Sequence, residues 1–105
     1  MATKIVWSKR SESNLKNIFD YISRDSEIYA IRFITKLIQH TESELINFPQ
    51  IGKKVPEFYN TPLDFLKEII FKGYRIIYQP QIELKQITII AVLSGRMNIQ
   101  KSMGI

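Results

Sequence analysis

Between Leu66 and Tyr78 two apolar, β-prone runs meet across one short turn, and the rest of the chain reads as cover for them. Ile69, Ile70 and Phe71 precede Lys72-Gly73, and Ile76, Ile77 and Tyr78 follow. Gly73 lacks a Cβ and can enter the φ > 0 region that a tight turn demands, so the stretch reads as a β-hairpin. Strand alternation then puts Tyr74, Ile76 and Tyr78 on one face and Arg75 and Ile77 on the other. Arg75 is the odd member of an apolar strand. Either its stem lies along the sheet with its head in water, or it is a placed cation.

The flanking segments supply the cover. Lys4 to Trp7 is β-prone, and Ser8 can cap a helix from about Lys9 to Ser23, whose Leu15, Ile18, Phe19 and Ile22 recur at i, i+3, i+4, i+7. Asp25 or Ser26 can cap a second helix with the longer apolar face Ala30, Phe33, Ile34, Leu37, Ile38, Thr41, Leu45 and Phe48, ended by Pro49 and Gly52. Gly52 to Glu57 reads as a basic, Pro-bounded connection continued as loop through Asn60, Thr61 and Pro62, and Pro80 to Lys85 as a polar link. Gln86 to Leu93 is apolar enough for a central strand covered on both faces, and Ser94-Gly95 stops it just before Arg96. The remaining tail, Met97 to Ile105, is short and is expected to be mobile.

The order βααβββ predicts an α+β fold, a two-helix antiparallel hairpin packed on one face of a mainly antiparallel sheet, in a single domain over 1–105. The expected sheet core is Ile5, Trp7, Ile70, Ile76, Tyr78, Ile89 and Val92, covered by Leu15, Ile18, Ile22, Phe33, Leu37 and Leu45.

Several function classes are disfavoured. The chain has no cysteine and one histidine, His40, so thiolate and histidine-cluster metal sites are out of reach, and no metal or cofactor is expected. His40 reads as a solvated helix residue beside Lys36 and Glu44, with no nucleophile near it in the pattern. There is no phosphate-binding Gly-rich loop and no nucleophile elbow. The N-terminus lacks an apolar h-region and no run approaches the roughly 20 residues that span a bilayer, so a soluble cytoplasmic protein with no membrane partner is expected. The net charge of +5 is uneven: residues 1–50 carry seven Lys/Arg against six Asp/Glu, and residues 51–105 carry eight against four. Such a bias suits nucleic acid or an acidic protein partner, although modestly basic surfaces also occur without one.

Four motifs, in order, resemble those of the RelE/ParE superfamily of type II toxins from bacterial toxin–antitoxin pairs. They are Tyr21-Ile22 at the end of the first helix; Phe48-Pro49-Gln50-Ile51-Gly52-Lys53-Lys54-Val55-Pro56-Glu57; Lys67-Glu68-Ile69 with Gly73-Tyr74-Arg75-Ile76-Ile77-Tyr78; and Ala91-Val92-Leu93-Ser94-Gly95-Arg96. The resemblance spans nearly the whole chain, and the long second helix with its Phe-Pro-x-x-Gly exit is more similar to the ParE branch. It implies a toxin neutralised by a cognate antitoxin. ParE-like members inhibit DNA gyrase by binding, whereas RelE-like members cut messenger RNA on the ribosome.

This sequence departs from the family pattern where the chemistry matters. Ser94 stands where a His is usual, and Lys53 and Lys67 stand at common Arg positions. Cleaving RNA by transesterification needs a proton acceptor, a proton donor and cations for the phosphorane, each acid or base contributing roughly 10² to 10⁴-fold. Lys67, Arg75 and Arg96 could supply the cations; Glu68, Tyr74 and Tyr78 are weak acid/base candidates, since alternate aromatics in a strand are ordinary core. The expected function is therefore gyrase inhibition without catalysis. The alternatives are a ribosome-dependent ribonuclease and a toxin-fold module that has become non-toxic and regulatory. Ile28, Ile31, Leu37, Ile38, Lys53, Lys54, Arg75 and Arg96 are the candidate partner contacts, through a helix-in-groove or added-strand mode.

Overall fold

The structure is a computed structural model, and it describes residues 3–95. Strand β1 (Lys4–Trp7) runs into helix α1 (Lys9–Ser23), followed by helix α2 (Glu27–Asn47). The short strand β2 (Lys53–Lys54) and a single 3₁₀ turn (Pro56–Phe58) precede β3 (Lys67–Phe71), β4 (Tyr74–Gln81) and β5 (Gln86–Ser94). Both helices start where a serine satisfies an orphan backbone N–H: Ser8 accepts from Ser11 N and Ser26 from Tyr29 N. The five strands form one sheet in the order β1-β5-β4-β3-β2, with β1 parallel to β5 and every other pair antiparallel.

The β3–β4 hairpin closes with Phe71 opposite Tyr74, so its loop is the two residues Lys72 and Gly73. Both have positive φ, 46° and 86°, as a type I′ turn requires to match the right-handed twist of the strands. β4 runs on through Pro80 to Gln81. It pairs there with β5 alone, because β3 reaches only to Tyr78, so the missing Pro80 N–H lies outside any second ladder.

The sheet is covered on both faces. On one, Phe33, Leu37 and Leu45 of α2 meet Ile76, Tyr78, Ile87, Ile89 and Val92, with Leu15, Ile18 and Ile22 of α1 half-buried beside them. On the other, Val55 and Phe58 from the connection that reads from sequence as loop, together with Leu66, are buried on Ile77, Ala91 and Leu93. A bulge lets β5 serve both. Ile77 pairs with Ala91 but Tyr78 with Ile89, leaving Ile90 unmatched. The unmatched residue reverses the alternation, so Ile87 and Ile89 before it and Val92 after it all face the helices. The Ile90 carbonyl accepts a hydrogen bond from Ser8 Oγ at 3.0 Å.

One expected core position, Ile70, and the last residue of the expected apolar helix face, Phe48, differ. Ile70 is 58% exposed: Ile69 pairs with Ile76 and takes the helix face, while Ile70 pairs with Arg75 and points to the other side, away from the second core. Phe48 is 59% exposed, because the chain leaves the helical path at that residue, with φ −136° and ψ 76°. Arg96 and the Met97 to Ile105 tail lie outside the described residues.

Candidate functional site

The residues nominated from sequence on β3 and β4 are largely consumed by the fold. Arg75 sits on the face of the second core with its side chain 11% exposed. Its Nη1 and Nη2 donate to the two carboxylate oxygens of Glu57 at 2.6 and 2.8 Å, and its Nε donates to Glu68 Oε1 at 2.6 Å. The fork geometry of guanidinium and carboxylate makes this a bidentate, charge-assisted clamp. It ties the 3₁₀ turn to the sheet. The Arg75 hydrogen bonds hold the Glu57 carboxyl below its ordinary range, and the same contacts raise Arg75 further, so the ions stay paired at any physiological pH.

Tyr78 is fully buried, and its hydroxyl accepts from the Gly52 N–H at 2.9 Å. Burial raises its pKa, with the Gly52 hydrogen bond opposing that shift. The carbonyl of the same glycine accepts from Lys67 Nζ at 3.2 Å. Gly52 is thus held from both sides, by the hydroxyl and by the ammonium. Glu68 is committed to Arg75. Of the nominated acid/base side chains only Tyr74 reaches an open surface.

That surface is a groove of about 520 Å³ between α1 and the ends of β4 and β5, where Asn14, Asn17 and Tyr21 face Tyr74, Leu93 and Ser94. β5 outruns β1 here, and Asn14 Oδ1 accepts from the Val92 N–H at 2.9 Å in place of a neighbouring strand. Desolvation, and secondly the nearby Tyr21 hydroxyl, raise the Tyr74 pKa. A phenol shifted that way is a poorer base at neutral pH. Tyr21 is 67% exposed, with the Arg24 guanidinium 5.8 Å from its ring centroid.

Among the candidate partner contacts, Ile28 and Ile31 are 65% and 50% exposed on α2, and Lys53 and Lys54 are exposed on the sheet edge. Lys54 reaches Asp64 at 3.4 Å. Ile38 is half-buried, whereas Leu37 lies wholly within the core and has no surface to offer a partner. Arg75 is likewise spent on its carboxylates. His40 is half-buried rather than solvated, its ring centroid 5.0 Å from that of Phe71. Sequence reasoning gave no role to Glu57, although it closes the Val55-Pro56-Glu57 motif, and none to the Asn14 and Asn17 amides, which no periodicity singles out. Among the described residues no group of His, Asp or Glu is placed to hold a metal, and no helix is long and apolar enough to cross a membrane.

The sequence profile of the family described as the ParE toxin of the type II toxin–antitoxin system parDE matches residues 5–99. No curated protein matches the sequence significantly. Similar solved structures include the RelBE2 toxin–antitoxin complex from Mycobacterium tuberculosis, with a TM-score of 0.67 and 14% identity over 90% of this chain and 92% of that one. The chromosomal ParDE system of P. aeruginosa gives 0.69 and 14% over 88% and 95%. A mutant of the E. coli toxin RelE in the free state gives 0.58 and 17% over 99% and 93%. At these identities the likeness establishes the fold.

Proposed function

Because the chain belongs to the ParE toxin family of type II toxin–antitoxin systems, we propose that it acts by binding, with DNA gyrase as its target and no catalysis of its own. The observation that carries this reading is the Arg75 clamp. A ribonuclease would need that cation free to meet developing phosphorane charge, but Glu57 and Glu68 occupy it. Tyr78 is buried, Lys67 is engaged with the Gly52 carbonyl, and Ser94 stands where the related ribonucleases usually have a histidine.

The accompanying proposal is a cognate antitoxin. The RelBE2 structure is a toxin–antitoxin complex, and this chain exposes apolar surface suited to such a partner. Ile28 and Ile31 stand one turn apart on α2, and the open groove offers Ile18, Tyr21 and Tyr74 to an amphipathic segment. Nanomolar binding, about 12 kcal/mol, would keep the free toxin scarce.

Two assays on the purified chain separate the readings. Inhibition of gyrase supercoiling, with messenger RNA intact in a translating extract, is the expected outcome. Codon-dependent cleavage in the extract, lost on changing Tyr74 or Lys67, would establish the ribonuclease instead. Inactivity in both, with normal growth on expression alone, would leave the non-toxic module. Pull-down and growth rescue with the product of the adjacent gene test the antitoxin.

A further inference from the structure

A second, smaller cleft lies away from the groove, between α2 and the tip of the β3–β4 hairpin, and its lining is Tyr29, Arg32, Phe33, Lys36 and Lys72. Three of these five side chains are cations and none is a carboxylate. Arg32 and Lys36 stand at i, i+4 on the helix, about 6 Å apart along its axis, where like charges repel. Lys72 approaches from the hairpin. None of the three forms an ion pair among the described residues.

Aromatic rings dock the hairpin tip on the helix. Phe33, 8% exposed, lies 5.8 Å from Phe71 and 5.6 Å from Tyr74, the two residues that bracket the turn, and His40 packs on Phe71 one helical turn beyond Lys36. The turn itself holds Lys72 at φ 46°, a backbone conformation that lysine rarely adopts and asparagine adopts more readily. Beside the cations, Tyr29 stacks on Phe33 with centroids 6.2 Å apart and leaves half of its surface in water.

We propose that this cleft binds the phosphodiester backbone of single-stranded nucleic acid, with Arg32, Lys36 and Lys72 on the phosphates and the Tyr29 ring stacked on an unpaired base. The cations alone would serve any polyanion. The exposed, pre-oriented aromatic ring beside them is what selects an unpaired base over an acidic peptide or a closed duplex. The proposal does not depend on gyrase being the target, and its test reads a different quantity from the supercoiling assay.

The test is fluorescence anisotropy of a labelled twelve-nucleotide oligothymidylate titrated with the intact chain. Three phosphate contacts predict that the logarithm of affinity falls with the logarithm of salt at a slope of about −2, easing by about 0.7 in Lys36→Ala. Arg32→Glu and Lys72→Glu should each weaken binding about tenfold or more, and Tyr29→Ala about tenfold through lost stacking. Lys9→Glu, the same change in net charge at the start of α1, should leave binding unaltered. All of these positions are exposed, and the unfolding midpoint of each variant checks that it folds. Equal loss in Lys9→Glu would reduce the effect to net charge and overturn the site. Competition by polyglutamate as effective as unlabelled oligonucleotide, or duplex binding as tight as single-strand with no effect of Tyr29→Ala, would overturn the assigned ligand.

Discussion

The backbone of Gly52 passes so close to the ring of Tyr78 that a Cβ on the glycine would lie 2.5 Å from the tyrosine hydroxyl and 2.8 Å from Cε1, with the Glu68 carbonyl at 2.7 Å. The glycine is required by this close approach. Gly52→Ala should therefore lower stability by about 1–3 kcal/mol through overpacking against groups that cannot move aside. Tyr78→Phe relieves no clash and leaves the Gly52 N–H without its acceptor, at a cost of about 1–3 kcal/mol where water cannot replace it. Denaturant unfolding of the two variants measures both. A glycine-to-alanine change without effect would show that the connection after α2 can shift off the sheet.

Arg75→Ala removes the cation from two carboxylates at once, one of which, Glu68, has its side chain only 13% exposed. The expected loss is about 3 kcal/mol, in the range found when one partner of a buried pair is removed. Arg75→Lys should recover only part of it, because an ammonium cannot make the bidentate contact to Glu57. These variants also bear on the proposed function. A fully stable Arg75→Ala protein would mean that the clamp is dispensable and the guanidinium available to a ligand.

The same cluster gives the acid limb of stability a definite sign. The Glu57 carboxyl is held below its ordinary 4.5 in the folded state, so its contribution is complete above that value and is lost as pH falls through the folded-state value. Stability measured by denaturant from pH 6 to pH 3 should fall more steeply in the parent than in Glu57→Gln. The glutamine variant should be less stable at pH 6. Parallel pH profiles would remove Glu57 as the group responsible.

Leu37 has no exposed surface and lies between the helix pair and the sheet, so Leu37→Ala should cost about 2–5 kcal/mol with no compensating gain. Ile70→Thr, on the open part of the sheet, should stay within about 0.5 kcal/mol of the parent. The contrast checks the register of β3. If Ile70→Thr proved the more damaging, that strand would have to be paired one residue out.

Lys72 occupies the first position of a type I′ turn, where Asn followed by Gly is the favoured pair. Lys72→Asn should accordingly raise the unfolding free energy slightly, by up to about 1 kcal/mol, because asparagine enters the left-handed region at less cost. It should also weaken oligonucleotide binding. Stability and affinity moving in opposite directions would mark the lysine as retained for binding at the hairpin's expense.

Local rules made most of the framework legible. Ser8 and Ser26 announce their helices, the Lys72-Gly73 turn announces its hairpin, and the apolar run from Gln86 to Leu93 announces a strand covered on both sides. Four things were not legible, and each depends on residues far apart in sequence. The second core needs Phe58 brought under Ile77. The Arg75 clamp needs Glu57, 18 positions earlier, brought across the sheet edge. Ile70 looks like core until pairing with Arg75 fixes its side. The α2 cleft escaped for a related reason: Arg32 and Lys36 read as an ordinary solvated helix face until the hairpin tip adds Lys72.

The bulge at Ile90 has a consequence for how the molecule comes apart. Because the same strand is packed into the helix-side core before and after the unmatched residue, and into the opposite core through Ala91 and Leu93, neither layer can peel away without disturbing β5. The domain has no seam. Amide protons of Ile89 to Leu93 should exchange only through global opening, at the rate set by the whole protein's stability, while β2 and the first turn of α1 exchange through smaller local openings. Deleting Ile90 alone would remove the bulge and leave Val92 against the helices and Ala91 and Leu93 in the opposite core, so both layers should keep their occupants.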